Sequence, residues 1–209
     1  MTEEQSSDET ISLTKGRLEG LSDGIFAFAM TLLVIGLSIP DKATLVPSNE
    51  YVIQLLLSLR YDFLHYVLAF IILGAFWLGH HSMLHSVRSI DRTFVWINLV
   101  TLLFVALLPF TTSFSGDFSG VAFGSIVFHL NLFALGMGMF CQWRYATGGH
   151  RLVEPALKPG YIRKISIRNL LVPGVAVICT LAALSGNLWS SALYMLLPAI
   201  GYAMERCIF

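Results

Sequence analysis

Long apolar runs alternate with short polar breaks along most of the chain. The runs fall at residues 18–39, 63–84, 93–114, 120–143, 169–184 and 188–204. Each is close to the length a helix needs to cross the ~30 Å hydrocarbon core of a bilayer. The pattern predicts an all-α integral membrane protein with six transmembrane helices per chain, in one domain over residues 15–209. Residues 1–14 hold Glu3, Glu4, Asp8 and Glu9 among Ser and Thr and read as a disordered acidic tail. Residues 41–49 form a turn-rich loop. Residues 50–61 are apolar on one side and broken by Arg60 and Asp62, which suits an interfacial helix or the sloping start of the second span. Pro109 is expected to kink or end the third span. Residues 144–168 read as the longest polar connection.

Composition agrees with this picture. Hydrophobic residues make up 56% of the 209 and charged residues 12%, with a mean hydropathy of +0.72. A soluble domain carries about 25% charged residues. The formal net charge is zero, so no basic surface is offered to nucleic acid. Cys141, Cys179 and Cys207 are far apart, in or beside apolar runs, and make neither a CxxC site nor a disulfide framework. The acidic start lacks the basic region of a cleaved signal peptide, and the first helix is expected to stay in the mature protein.

Lys and Arg predict the orientation. One side collects Lys15, Arg17, Arg88, Arg92, the six between 144 and 168, and Arg206; the other has Lys42 and Arg60. Eleven against two places both termini in the cytoplasm by the positive-inside rule.

Two polar constellations stand inside the apolar runs. The first span opens with Arg17, Glu19, Ser22 and Asp23, and polar groups in hydrocarbon are costly unless paired or functional. On a wheel of 100° per residue, Phe28, Thr31, Leu32 and Ile35 share a face, while Asp23 lies about 140° from Phe28. Asp23 is therefore turned towards a neighbouring helix, as a cap, a partner for Arg17, or a participant in transport. The second constellation is Trp77, His80, His81 and His85. His81 and His85 have an i,i+4 spacing that binds zinc when further ligands are present. No HExxH or acidic partner follows at suitable spacing. The expected arrangement is a hydrogen-bonded network with Asp23, Asn98 or a backbone carbonyl, able to respond to pH because imidazole titrates near neutrality, and no resident metal is expected. No GxSxG, P-loop, dinucleotide turn or paired acids occur in the spans, so neither catalytic residues nor a cofactor are expected, and the chain does not read as an enzyme.

These residues resemble a known family. Arg17-x-x-x-Leu21-Ser22-Asp23-Gly24-Ile25-Phe26-Ala27, followed by Thr31-Leu32-Leu33-Val34, is similar to the RxxxFSD signature opening the first helix of the transmembrane protein 175 family. Leu21 stands where the signature has Phe. Trp77, His80 and His81, then Asn98, then Leu108-Pro109-Phe110-Thr111-Thr112 follow in the family's order. The resemblance is strong over roughly the first half of the chain, whereas the last two helices match only in length and hydropathy. It implies a potassium-permeable channel without a TVGYG filter. A single signature implies the bacterial form, one repeat per chain, assembled as a homotetramer in the plasma (inner) membrane.

One helix per chain cannot line a pore, but copies around a closed axis can. The resemblance puts Phe28 at the constriction, where Ile or Leu is usual. Leu32 and Ile35 fall on further apolar rings, and Thr31 on a ring of hydroxyls linked to cation preference. These four span about 10 Å of helix axis. An apolar ring excludes ions by dewetting when closed. The resemblance also implies a structural or gating network joining Arg17, Ser22 and Asp23 to Trp77, His80, His81 and Asn98. The implied partners are other copies of the chain and the bilayer, with potassium as the permeant ion. A competing reading is a proton-coupled ion or metal transporter using Asp23 and the His80, His81, His85 cluster.

Overall fold

The computed structural model describes residues 14–37, 48–118, 120–187 and 190–197. Helix α1 (Lys15–Leu32) tightens into a 3₁₀ turn over Leu33–Gly36. It is followed by α2 (Asn49–Ser58), α3 (Arg60–Ser86), α4 (Arg92–Asp117), α5 (Ala122–Thr147) and α6 (Pro159–Leu184), with 3₁₀ turns at Gly148–His150 and Ser190–Leu196. Among the described residues, five stretches are long and apolar enough to cross a membrane: Lys15–Gly36, Asp62–Ser86, Arg92–Asp117, Ala122–His150 and Pro159–Leu184. The chain is a multi-pass helical membrane protein. Of the expected sixth span, 188–204, only residues 190–197 are described; the remainder, residues 1–13 and most of the 41–49 loop lie outside the described residues.

The short α2 corresponds to the segment expected at the interface. Its N-cap Ser48 accepts from the Tyr51 N–H at 3.1 Å, and none of its residues is buried. Val52, Ile53, Leu56 and Leu57 remain exposed, an apolar side suited to a lipid boundary.

Two local expectations change. Helix α4 does not end at Pro109 but runs on to Asp117. A proline is tolerated inside a spanning helix when neighbouring polar side chains satisfy the disturbed backbone. Close to the proline, Thr111 and Thr112 donate to the Leu108 carbonyl, and Asn131 of α5 donates to the Phe104 carbonyl and the Thr111 hydroxyl, although the carbonyl that Pro109 leaves without its helical donor is that of Val105. The second change is the fifth span, which begins at Pro159 rather than 169. Its basic first turns read as loop by composition. Pro159 is favoured in the first helical turn, and Ile162 and Ile165, three residues apart, turn to the core while Arg163 stays exposed.

Helix α5 is the centre of the bundle. Its spanning window is 56% buried, against 28–33% for the other four. Gly136 lets it approach α6 closely: a Cβ there would lie 2.5 Å from Pro173 Cδ. Trp143, fully buried, donates its indole N–H to the Ile162 carbonyl at 3.0 Å. Near the other end, His129 meets the Ser190 hydroxyl at 3.0 Å and the Tyr194 hydroxyl at 3.2 Å, tying α5 to the last described turn.

The polar ends of α3, α4, α5 and α6 are joined by two short connections. Val87 and Val153 form an antiparallel bridge, and the Arg88 N–H donates to the Leu152 carbonyl at 2.7 Å. Asp91 caps α4 by accepting the Phe94 N–H at 2.8 Å, and its second oxygen accepts the Tyr145 hydroxyl at 2.7 Å. The Arg151 guanidinium lies 4.8 Å from the Tyr145 ring centroid.

Candidate functional site

Helix α1 has two unlike faces. Leu18, Ser22, Phe26, Ala29 and Leu33 recur every three or four residues and are buried against α3 and α4, the spacing of one helical face. The opposite face carries Gly16, Gly20, Gly24, Phe28, Thr31 and Ile35, all but the glycine-flanked start being side chains with no place in the chain's own core. Phe28 is 66% exposed and Ile35 69%; Thr31 is exposed and Leu32 half-buried. The Thr31 hydroxyl donates to the Phe28 carbonyl at 2.7 Å. Its hydrogen is thereby committed to the helix, and its oxygen lone pairs remain for a ligand on the open side.

The 3₁₀ turn alters the expected axial spacing. Four α-helical residues followed by three at ~2.0 Å rise separate Phe28 and Ile35 by about 12 Å rather than about 10 Å. In 3₁₀ geometry residues i and i+3 eclipse, so Ile35 stands directly beyond Leu32.

Behind this face lies a buried polar network that fastens α1. Asn98 of α4 donates to the Ser22 hydroxyl at 3.1 Å, and Ser22 in turn donates to the Leu18 carbonyl at 2.8 Å. The Asn98 carbonyl oxygen receives Gln142 Nε2 at 2.9 Å and His80 Nε2 at 2.7 Å. An amide oxygen only accepts, so this arrangement assigns the proton of His80 to Nε2. All four side chains are buried, and the Phe26 ring covers His80 at 5.5 Å between centroids. Beside this network, Trp77 donates its indole N–H to Asp23 at 2.8 Å.

The sequence expectations divide accordingly. Ser22, Asp23, Trp77, His80 and Asn98 are drawn together in two adjoining pieces. His81 is exposed and touches the group only through the Trp77 ring, 6.0 Å away. Arg17 is exposed and makes no hydrogen bond or ion pair among the described residues. His85 is exposed while His80 is buried, so the three histidines do not converge. Among the described residues no group of three or more His, Cys, Asp or Glu is placed to hold a metal. Gln142 was missed. Its signal was a second amide in the α5 span, after Asn131 and next to Trp143.

An outward apolar face on one spanning helix, held from behind by polar contacts to its neighbours, belongs to a helical membrane protein. Residues 17–109 match the family model described as endosomal/lysosomal potassium channel TMEM175. A protein of Streptomyces collinus named as a potassium channel is 28% identical over 162 residues, covering 75% of this chain and 76% of that one. Another from Chamaesiphon minutus, also named as a potassium channel, is 25% identical, covering 91% and 94%. The rat endosomal/lysosomal proton channel TMEM175 is 26% identical over 96% of this chain, which spans 41% of its length. The fold matches the crystal structure of a lysosomal potassium-selective channel TMEM175 homolog from Chamaesiphon minutus with a TM-score of 0.75, at 23% identity and covering 91% and 97%. The family resemblance read from the first half of the sequence is borne out.

Proposed function

We propose that the chain is a potassium-permeable cation channel that assembles as a homotetramer around α1 and conducts ions passively. The observation that carries this reading is the open face of α1: large apolar side chains point away from a core that the same helix otherwise helps to build. Four such faces around an axis form a pore with Phe28 as its constriction, Thr31 as a hydroxyl ring, and Leu32 and Ile35 as further apolar rings. The anchoring network of Ser22, Asp23, Trp77, His80 and Asn98 keeps α1 in register, with His81 beside the Trp77 ring. The positive-inside count supports a multi-pass protein of the bacterial plasma membrane with both termini cytoplasmic.

The test is potassium flux through purified protein in liposomes. Wild-type protein is expected to conduct, and Phe28→Ala to raise the flux by removing the bulkiest ring. Unchanged flux in Phe28→Ala would exclude Phe28 as the constriction, and no flux from either protein would remove the channel reading.

A second reading is proton permeation, favoured by the similarity to the rat endosomal/lysosomal proton channel. Reversal potentials under separate potassium, sodium and proton gradients distinguish the two. A proton-coupled transporter using Asp23 and the histidines predicts saturable uptake that His81→Ala abolishes, whereas a channel predicts flux that persists.

A further inference from the structure

At the polar end of the bundle, α5 and α6 diverge around an open cavity of about 530 Å³. Its titratable lining is basic. Arg144 comes from the last turn of α5, Arg163 from the second turn of α6, and His150 from the connection between them. No acidic side chain lines it. Both guanidinium groups belong to exposed residues without a hydrogen bond or ion pair among the described residues. His150 reaches the rim through a left-handed backbone, φ 53°, directly after Gly149 at φ 61°, and its ring meets the Glu154 carbonyl at 3.3 Å. A non-glycine residue held in that conformation is strained and needs support from its surroundings.

The rest of the lining is Phe140, Pro159, Ile162 and Ser166, apolar except for Ser166, whose hydroxyl donates to the Ile162 carbonyl at 2.9 Å, and exposed apolar side chains outside the cavity continue it along both helices. On α5, Phe140 lies one turn below Arg144, and exposed Phe133 continues the same side, about 16 Å below the arginine along the axis. On α6, exposed Ile167 and Leu170 follow Arg163 at i+4 and i+7, again one face of a helix. Two apolar ribs thus descend from two unpaired arginines at the end of the spanning segments. A soluble anion would match the arginines and leave the ribs unused. A neutral lipid would cover the ribs and leave the arginines without a partner.

We propose that this cavity binds an anionic glycerophospholipid, its phosphate held by Arg144 and Arg163 and an acyl chain lying between the ribs. Guanidinium forks match phosphate oxygens in geometry and charge. The site depends only on the chain spanning a membrane, not on α1 forming a pore.

The test is native mass spectrometry of the detergent-solubilised full chain, titrated separately with dioctanoyl phosphatidylglycerol, dioctanoyl phosphatidylcholine and inorganic phosphate. Wild-type protein is expected to prefer phosphatidylglycerol. The double variant Arg144→Gln/Arg163→Gln is expected to weaken that lipid's Kd by about tenfold or more, with phosphatidylcholine little changed. Arg88→Gln, which removes a charge from the same end but outside the cavity, is expected to leave the preference intact. Equal binding of the two lipids by wild-type protein overturns the proposal without need of any variant. So does an unchanged preference in the double variant, or an equal loss in Arg88→Gln, which would mean diffuse surface charge. Competition by inorganic phosphate at lipid-like concentrations would reassign the cavity to a soluble anion.

Discussion

The indole of Trp77 reaches across from α3 and donates its N–H to the carboxylate of Asp23 on α1 at 2.8 Å. A hydrogen bond to a charged acceptor contributes about 1.5–3 kcal/mol, and this one sets how far α1 can turn against α3. Trp77→Phe keeps an aromatic ring and removes the donor. The expected outcome is a loss of stability in that range, measured by thermal unfolding in detergent. Asp23→Asn should account for much of the same loss, so the double variant should fall short of the sum of the singles.

Asn98 is the hinge of the buried network, because three side chains depend on its amide: Ser22, His80 and Gln142. Asn98→Leu leaves all three without that partner in a buried setting, at about 1–3 kcal/mol for each unsatisfied group. Ser22→Ala removes one arm. Thermal melting should place Asn98→Leu well below Ser22→Ala, and similar melting of the two would show that Asn98 is not the centre.

Thr31 offers a test of selectivity apart from gating in the proposed pore. Its hydroxyl bonds back to the Phe28 carbonyl and its oxygen faces outwards. Thr31→Val has nearly the same volume without the oxygen. Under the proposed pore it should lower the potassium-to-sodium permeability ratio while leaving conduction, read from the shift in reversal potential; Thr31→Ser should preserve the ratio.

Glycines make a contrast between the packing within a chain and the packing between chains. Gly136→Ala puts a methyl 2.5 Å from Pro173 Cδ, and forcing extra carbon into such a contact costs about 1–3 kcal/mol. It should lower the melting temperature. Gly24 has nothing within 4 Å of an added Cβ, so Gly24→Leu should leave the single chain intact. If copies meet along α1, it should instead reduce the cross-linked tetramer on a gel.

Hydropathy made the spanning segments legible, and periodicity separated the two faces of α1, because both depend on residue type alone. The start of α6 was not legible. Arg163 and Lys164 suggest a loop by composition, and only the spacing of Ile162 and Ile165 carries the helix through them. The apolar run puts the third span at 93–114, past Pro109, with the proline expected to kink or end it, and the helix runs three residues further, to Asp117. The polar network was legible as a set of residue types around Ser22 and Asn98. Gln142 was not, since its place depends on α5 packing beside α4. Arg17 and His81 show the opposite limit, where a motif position is present and the side chain is left at the surface.

The 3₁₀ turn at Leu33–Gly36 winds the end of α1 more tightly than the α-helix before it. Relaxing three residues from ~120° to ~100° per step turns Ile35 by about 60° relative to Leu32 and shortens the segment by about 1.5 Å. Such a twist carries Ile35 out of line with Leu32 while Phe28, below the turn, stays where Ser22 and Asp23 hold it. Under the proposed tetramer that motion would act as an iris, one apolar layer swinging aside as the layer beneath stayed fixed. A cysteine at position 35 whose reactivity changes with the conducting state, beside one at position 28 whose reactivity does not, is the signature expected of it.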